Sequence, residues 1–463
     1  MKLYQYLTLL TTLCLVSCQK YVDIKKSGSQ SFLETASDCQ LILDNYDLFN
    51  TNYPVDGEIS ADDYYLDEQR YNSDQISIED RNLYAWKSDA LRESSQHWVN
   101  SYNKIYHANL VLETVQALEG KDPVSVLNPI KGSALFLRAY AFWNLVQLYA
   151  KPYTATAQQE PGLPVHRKSD INDTPGRGTL KETYDSIISD LKEATDLLSP
   201  TSTIASRPNR AAAYAMLARV YLSMEDYPNA LISANAALAI KNSLIDFNTL
   251  DKQSFAPFKR FNNEVLFHST IFYQNGTLEP GYGYEDLAII SPEIIAGYAD
   301  NDLRKVVYVK ENLDVPNPSG TFRFVGNYEG AVGSAKLFNG LAVDELFLIS
   351  AECNARAGNV PAAMQALNTL LRTRWISGTF VNIAAANSKE ALSIILAERR
   401  KELLMRGLRW TDLRRLNHEP EFAKVLSRKG GTVTYTLPPN DARYTLLIPQ
   451  EVITNSKLTQ NNR

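Results

Sequence analysis

Cys18 is the residue whose position alone assigns it a reaction. It follows Leu15, Val16 and Ser17. Two apolar residues and a small one suit a signal peptidase, and a thiol at the next position can take a diacylglycerol. Upstream, Lys2 supplies a short positive region and residues 3–16 are largely apolar. That run is too short to cross a bilayer as a permanent helix, so it reads as the apolar core of a signal peptide. Residues 1–17 are the expected lipoprotein signal peptide, with Cys18 the lipidation site. The mature chain, residues 18–463, is expected to meet the membrane only through lipid, since several acyl chains anchor stably where one does not.

Other reactive groups do not assemble into a catalytic pattern. The histidines (His97, His107, His166, His268, His418) have no metal-ligand spacing, and the zincin, nucleophile-elbow, phosphate-loop and paired-cysteine motifs are missing from the sequence. Residues 52–63 have a calcium-loop glycine at Gly57, but Pro54 takes a ligand position. Asp62 and Asp63 would make a glycosidase pair only with a carboxylate facing them across a cleft. The charge cluster between Glu398 and Arg415 reads as a structural ion-pair network. Cys39 and Cys353 fall on apolar stretches far apart and read as free buried thiols. Neither catalysis nor a cofactor is expected, and no residue is a candidate metal ligand.

The net charge is −5 with dispersed Lys and Arg, which excludes the electrostatic footprint of nucleic-acid binding. The chain holds 26 Tyr and five Trp; most are expected in the core, and exposed aromatics stack against sugar rings and interfaces. They crowd two stretches without helical period, residues 51–87 and 242–340. From these come the candidate ligand-binding residues: Tyr64, Tyr65, Trp86, Tyr273, Tyr282, Tyr284, Arg323 and Phe324. Binding residues concentrate on loops held by a rigid frame, so the two stretches are expected to converge on one face.

Helices must supply that frame. Residues 89–118 carry Trp98, Tyr102, Ile105, Ala108, Asn109 and Leu112 at spacings of three and four. Residues 210–240 read as a helical hairpin with Ala218, Tyr221, Ala230 and Ala237 at tetratricopeptide spacings. Small residues there let antiparallel helices approach closely. A second copy over residues 348–374 keeps the twelve-residue offset, Ala351 to Ala363. A looser copy begins at Arg138, with its partner helix displaced to residues 180–198. Asn387 to Glu390 forms a helix start, and Arg399 lies on the apolar stripe that follows, with Glu402 or Asp412 as its expected partner. Residues 432–449 alternate as a short hairpin would. The expected fold is mainly α: a helical-hairpin scaffold over about 89–240 and 343–417, a large loop-rich insertion, little β, and one domain spanning residues 18–463.

Three segments together resemble the SusD/RagB family. The first is Trp98, Tyr102, Ile105 and Asn109. The second runs Glu398-Arg399-Arg400-Lys401-Glu402-Leu403, then Gly407, Arg409, Trp410, Asp412, Leu413 and Arg415. The third is Ile448-Pro449, Glu451-Val452-Ile453, Asn455, Leu458 and Gln460-Asn461. With the lipidation motif they span the chain. The resemblance implies a cell-surface, outer-membrane lipoprotein that captures a nutrient, an oligosaccharide before a peptide. It also implies a SusC-like TonB-dependent transporter barrel as partner, and no catalysis. One departure stands out. Many members have an Arg three residues before the acid held here by Glu345, and this chain has Ala342 there. The alternative function is a repeat scaffold that binds another protein.

Overall fold

A computed structural model describes residues 33–272, 278, 288–312, 319–332, 334 and 336–463. Cys18, Tyr273, Tyr282 and Tyr284 lie outside the described residues.

The scaffold is helical. Its main members are α1 (Ala36–Leu43), α2 (Gln96–Leu118), α3 (Val124–Tyr149), α4 (Leu180–Leu197), α5 (Arg210–Ser223), α6 (Tyr227–Ile240), α7 (Val343–Arg356), α8 (Val360–Leu371), α9 (Ser388–Glu402) and α10 (Arg409–Leu416). Most of their starts follow from side-chain caps, though α3, α7 and α10 have none. Thr35 with Asp38, and Thr179 with Glu182, form reciprocal capping boxes, and Asn209 and Asn387 accept from the third backbone N–H of α5 and α9. Each cap contributes about 1 kcal/mol. The helix expected from residue 89 starts at Gln96, because Ser95 supplies the first cap.

Consecutive helices pack as antiparallel hairpins: α3 with α4, α5 with α6, and α7 with α8. The displaced partner of the first copy is therefore α4. Ala218, Ala230, Ala351 and Ala363 are fully enclosed, as close helix approach requires. α3 is the central member, and its final carbonyls have no partners within the helix. Arg414 donates to Gln147 O and Ala150 O, while Arg177 and Asn461 both donate to Tyr149 O. The last turn of α10 and the chain's end are thereby fastened to the negative end of α3.

Strands are short and occur in pairs. They are β1 (Tyr64–Tyr65), β2 (Val265–Phe267), β3 (Thr270–Phe272), β4 (Ile289–Ile290), β5 (Val309–Glu311), β6 (Phe322–Phe324), β7 (Lys336–Phe338), β8 (Leu341–Ala342), β9 (Leu426–Gly430) and β10 (Val433–Leu437). The antiparallel pairs are β1–β4, β2–β8, β3–β7, β5–β6 and β9–β10. The C-terminal hairpin begins earlier than residue 432. Its turn is Gly431-Thr432, with Gly431 at φ +62°, and its first strand alternates buried and exposed.

Buried charge ties the insertion to the repeats. Arg399 pairs with Asp412 at 2.8 Å. Glu402 serves two other arginines, accepting from Arg374 at 2.7 Å and Arg304 at 3.0 Å. Glu345 is met by Arg219 of α5 at 2.6 Å, so the partner absent at Ala342 comes from another helix. Cys39 and Cys353 are free and buried, and burial raises both thiols, to about 11 and about 12.

Candidate functional site

The two aromatic stretches meet in the fold. β1 comes from the first and β4 from the second, with Tyr64 opposite Ile290 and Tyr65 opposite Ile289. The Ser291 N–H donates to Asp63 O and extends the pairing. β4 in turn lies against β6, which carries Phe322, Arg323 and Phe324.

Charge fixes the base of this junction. Arg409 donates to Asp62 at 2.6 Å, and Arg400 to Asp63 at 3.1 Å and to Glu293 at 3.0 Å. Lys424 bridges Glu293 and Asp62. Burial opposes charge on Asp62, but Arg409 and Arg400 hold its carboxyl well below the usual range. Burial raises Asp63, which is 1% exposed. Both acids are thus occupied by arginines rather than facing a cleft. In the segment with the calcium-loop glycine, residues Asp56–Ser60 form a one-turn helix. Asp56 pairs with Arg92 at 2.6 Å, and Glu58 accepts the Gly407 N–H at 2.8 Å. Among the described residues no cluster of His, Cys, Asp and Glu could hold a metal ion.

The candidate aromatics divide into two groups. Tyr64 and Trp86 are enclosed, at 2% and 1% exposure. With Tyr84 they surround Arg428, whose guanidinium lies 4.2 Å from the Tyr84 and Trp86 rings and 5.6 Å from Tyr64. Arg428 also donates to Ile59 O and Tyr84 O, and Trp86 Nε1 donates to Ser60 O. This aromatic box is filled by the protein's own arginine. As placed here, Tyr64 and Trp86 have no surface to offer a ligand, because stacking on Arg428 consumes it.

Tyr65, Phe322, Arg323 and Phe324 are half-exposed and remain at the surface. The Arg323 guanidinium lies 4.9 Å over the ring of Phe255, which is 44% exposed. Phe261 is also open at 39% exposure, although its edge meets His268. Neither phenylalanine is among the candidates read from sequence. The signal was present in Phe255-Ala-Pro-Phe258-Lys-Arg-Phe261, three aromatics in seven residues around a proline. Tyr273 directly follows β3, and Tyr284 precedes β4 by five residues, a length that spans at most about 17 Å.

Comparison with known proteins agrees with this architecture. Residues 20–222 match a SusD-like family model described as starch-binding and associating with the outer membrane, and residues 344–463 match the SusD family model. SusD-like protein P2 of Formosa agariphila is 25% identical over 425 residues, covering 80% of each chain. SusD-like protein P38 of the same organism is 22% identical, covering 90% of this chain and 91% of its own. A crystal structure of a SusD superfamily protein from Bacteroides thetaiotaomicron superposes with a TM-score of 0.75 at 21% identity, covering 93% of this chain and all of that one. A SusD-like carbohydrate binding protein from Bacteroides vulgatus superposes with a TM-score of 0.68 at 19% identity, covering 92% and 97%. The helical hairpins, the matched segments at both ends and these likenesses together show that this chain belongs to the SusD/RagB family.

Proposed function

We propose that this protein captures an oligosaccharide at the bacterial cell surface and delivers it to a TonB-dependent transporter barrel, held to the outer membrane by lipid on Cys18. The observation that carries the reading is the β1–β4 pairing beside β6. It links β1, which carries Tyr65, through β4 to β6 with Phe322, Arg323 and Phe324, and Arg323 lies over Phe255. Half-exposed aromatic faces suit the apolar faces of sugar rings, and Arg323 adds a directed donor. Among the described residues no helix is long and apolar enough to cross a membrane, which accords with attachment through lipid.

The starch-binding description of the matching family model directs the first experiment. Calorimetric titration of the mature protein with α-glucans, β-glucans, mannans and fructans of several lengths should yield saturable binding to one class. Absence of heat with every glycan, alongside binding of peptides, would contradict the reading.

A further inference from the structure

Lys104 stands alone in the middle of α2, enclosed at 1% exposure. Its amine makes one hydrogen bond, a long one of 3.5 Å to Asn100 O on the preceding turn. No carboxylate among the described residues pairs with it. An ammonium has three donors and no acceptor, so a charged Lys104 is under-satisfied where it lies. Such a buried charge is costly, because it gives up water and gains no opposite charge in return.

The chain crosses the amine at Tyr53. The Tyr53 ring lies 4.8 Å from Lys104 Nζ, and its hydroxyl is spent on Phe49 O at 2.8 Å. Tyr53 also meets the Tyr140 ring of α3 edge-on at 4.9 Å. The same stretch is paired with β3: Tyr53 N–H donates to Thr270 O at 3.2 Å, and Thr270 N–H to Asn50 O at 2.9 Å. Residues 50–53 are thus held to β3 by their backbone and to α2 through the Tyr53 ring. From there the chain enters the one-turn helix Asp56–Ser60 and then β1.

Burial pulls the Lys104 amine down to about 7 from an ordinary 10.5. Its neighbours do not change charge with it above neutral pH. Burial raises the phenols of Tyr53 and Tyr140, and it lowers the His97 imidazole, two turns earlier on α2. Asp56 and Asp80, which act on His97, are both met by Arg92, at 2.6 Å and 2.7 Å. The ring face of Tyr53 favours the ammonium, but a cation–π contact repays only part of what desolvation removes.

We infer that Lys104 is a proton-operated joint: a proton on its amine loosens residues 50–53 from α2 and slackens the approach to β1 and β3. An amine in water holds its proton more tightly than the enclosed one, so opening of the segment takes up a proton. Closure therefore strengthens as pH rises from about 7 toward 10.5, and it is weakest below 7. The segment is firm in basic medium and opens locally in acid. The joint does not depend on which ligand the aromatic surface takes, and either assignment can fail alone.

Two measurements on the mature protein test it. In protein labelled with carbon-13 at the lysine Cε, one resonance should titrate near neutral pH, well ahead of the other lysines. It should be missing from Lys104→Met. Hydrogen exchange of peptides over residues 49–56 reads the joint itself. Methionine is of similar length and carries no proton, so Lys104→Met should be better protected than wild type in acid. That advantage should be at least about tenfold greater at pH 6 than at pH 8.5. Glu58 titrates in both proteins and cancels in the comparison. Peptides of the α7–α8 hairpin should show no such change. If every lysine titrates in the ordinary range, Lys104 is no sensor and the inference falls. An advantage equal at the two pH values, or one equally large over α7–α8, would overturn the joint.

Discussion

The Arg428 guanidinium sits 4.2 Å from the ring centres of both Tyr84 and Trp86, inside the fold. The hairpin strand β9, which carries Arg428, therefore locks the segment that leads to the candidate surface. Trp86 also has φ +50°, a conformation uncommon for a bulky residue and sustained here by its surroundings. Trp86→Ala should cost about 3–5 kcal/mol of stability, the range for large buried aromatics. Thermal and denaturant unfolding measure it. A ligand-stacking tryptophan would instead leave the melt unchanged.

The Arg219–Glu345 pair joins α5 to α7 at 2.6 Å with both side chains buried. Arg219 further donates to Asn339 O and Gly340 O. Glu345→Ala leaves a guanidinium buried without its carboxylate, and should destabilise by about 3–5 kcal/mol. Replacing both residues with apolar ones of similar volume should cost less than this single change. Denaturant midpoints of the single and double variants decide the point.

Glu58 gives a pH signature. Burial, with Asp63 nearby, raises its carboxyl to about 8 from an ordinary 4.5. Between those values the folded state holds a proton that the unfolded chain has released. Glu58 thus favours folding below its unfolded pKa, and that contribution is lost as pH rises toward 8. Glu58→Gln retains an acceptor for the Gly407 N–H and has no proton to lose. It should therefore gain on wild type by ~1–3 kcal/mol between pH 5 and pH 8. Urea unfolding at the two pH values measures the difference, and a constant offset would contradict the assignment.

Cys18→Ser should move the protein from the outer-membrane fraction to a soluble one, because lipid is the proposed anchor. Fractionation in high salt, in cells lacking the transporter, removes attachment by other routes. Continued pelleting there would count against the anchor.

The scaffold was legible because it rests on spacing. The offset from Ala218 to Ala230 recurs from Ala351 to Ala363, and all four alanines are enclosed. Asn387 was readable as a cap, since an Asn before an apolar stripe with an acid at the third position has one local meaning. Arg399 found Asp412, one of its two expected partners. Arg219 as the partner of Glu345 was not legible, since nothing local links residues 126 apart. Convergence of the two aromatic stretches followed from their loop character, but individual roles did not. Trp86 and Tyr65 are both aromatics of one irregular stretch. Only the arrival of Arg428 from the C-terminal hairpin separates the enclosed residue from the half-exposed one. Phe255 is not legible as a surface ring, because a phenylalanine beside a proline serves as well to plug its own loop, and only Arg323 arriving over its ring marks it.

The surface around Tyr65, Phe255, Arg323 and Phe324 is proposed to hold a glycan. The most direct test is the affinity of the Tyr65→Ala/Phe255→Ala double variant for the tightest-binding glycan of the panel, measured by calorimetry beside its melting temperature. Loss of two stacking faces should weaken binding by roughly 1–3 kcal/mol. The melting temperature should stay near that of wild type, because both rings are partly in solvent. Wild-type affinity in a folded double variant would place the ligand on another face and contradict the account.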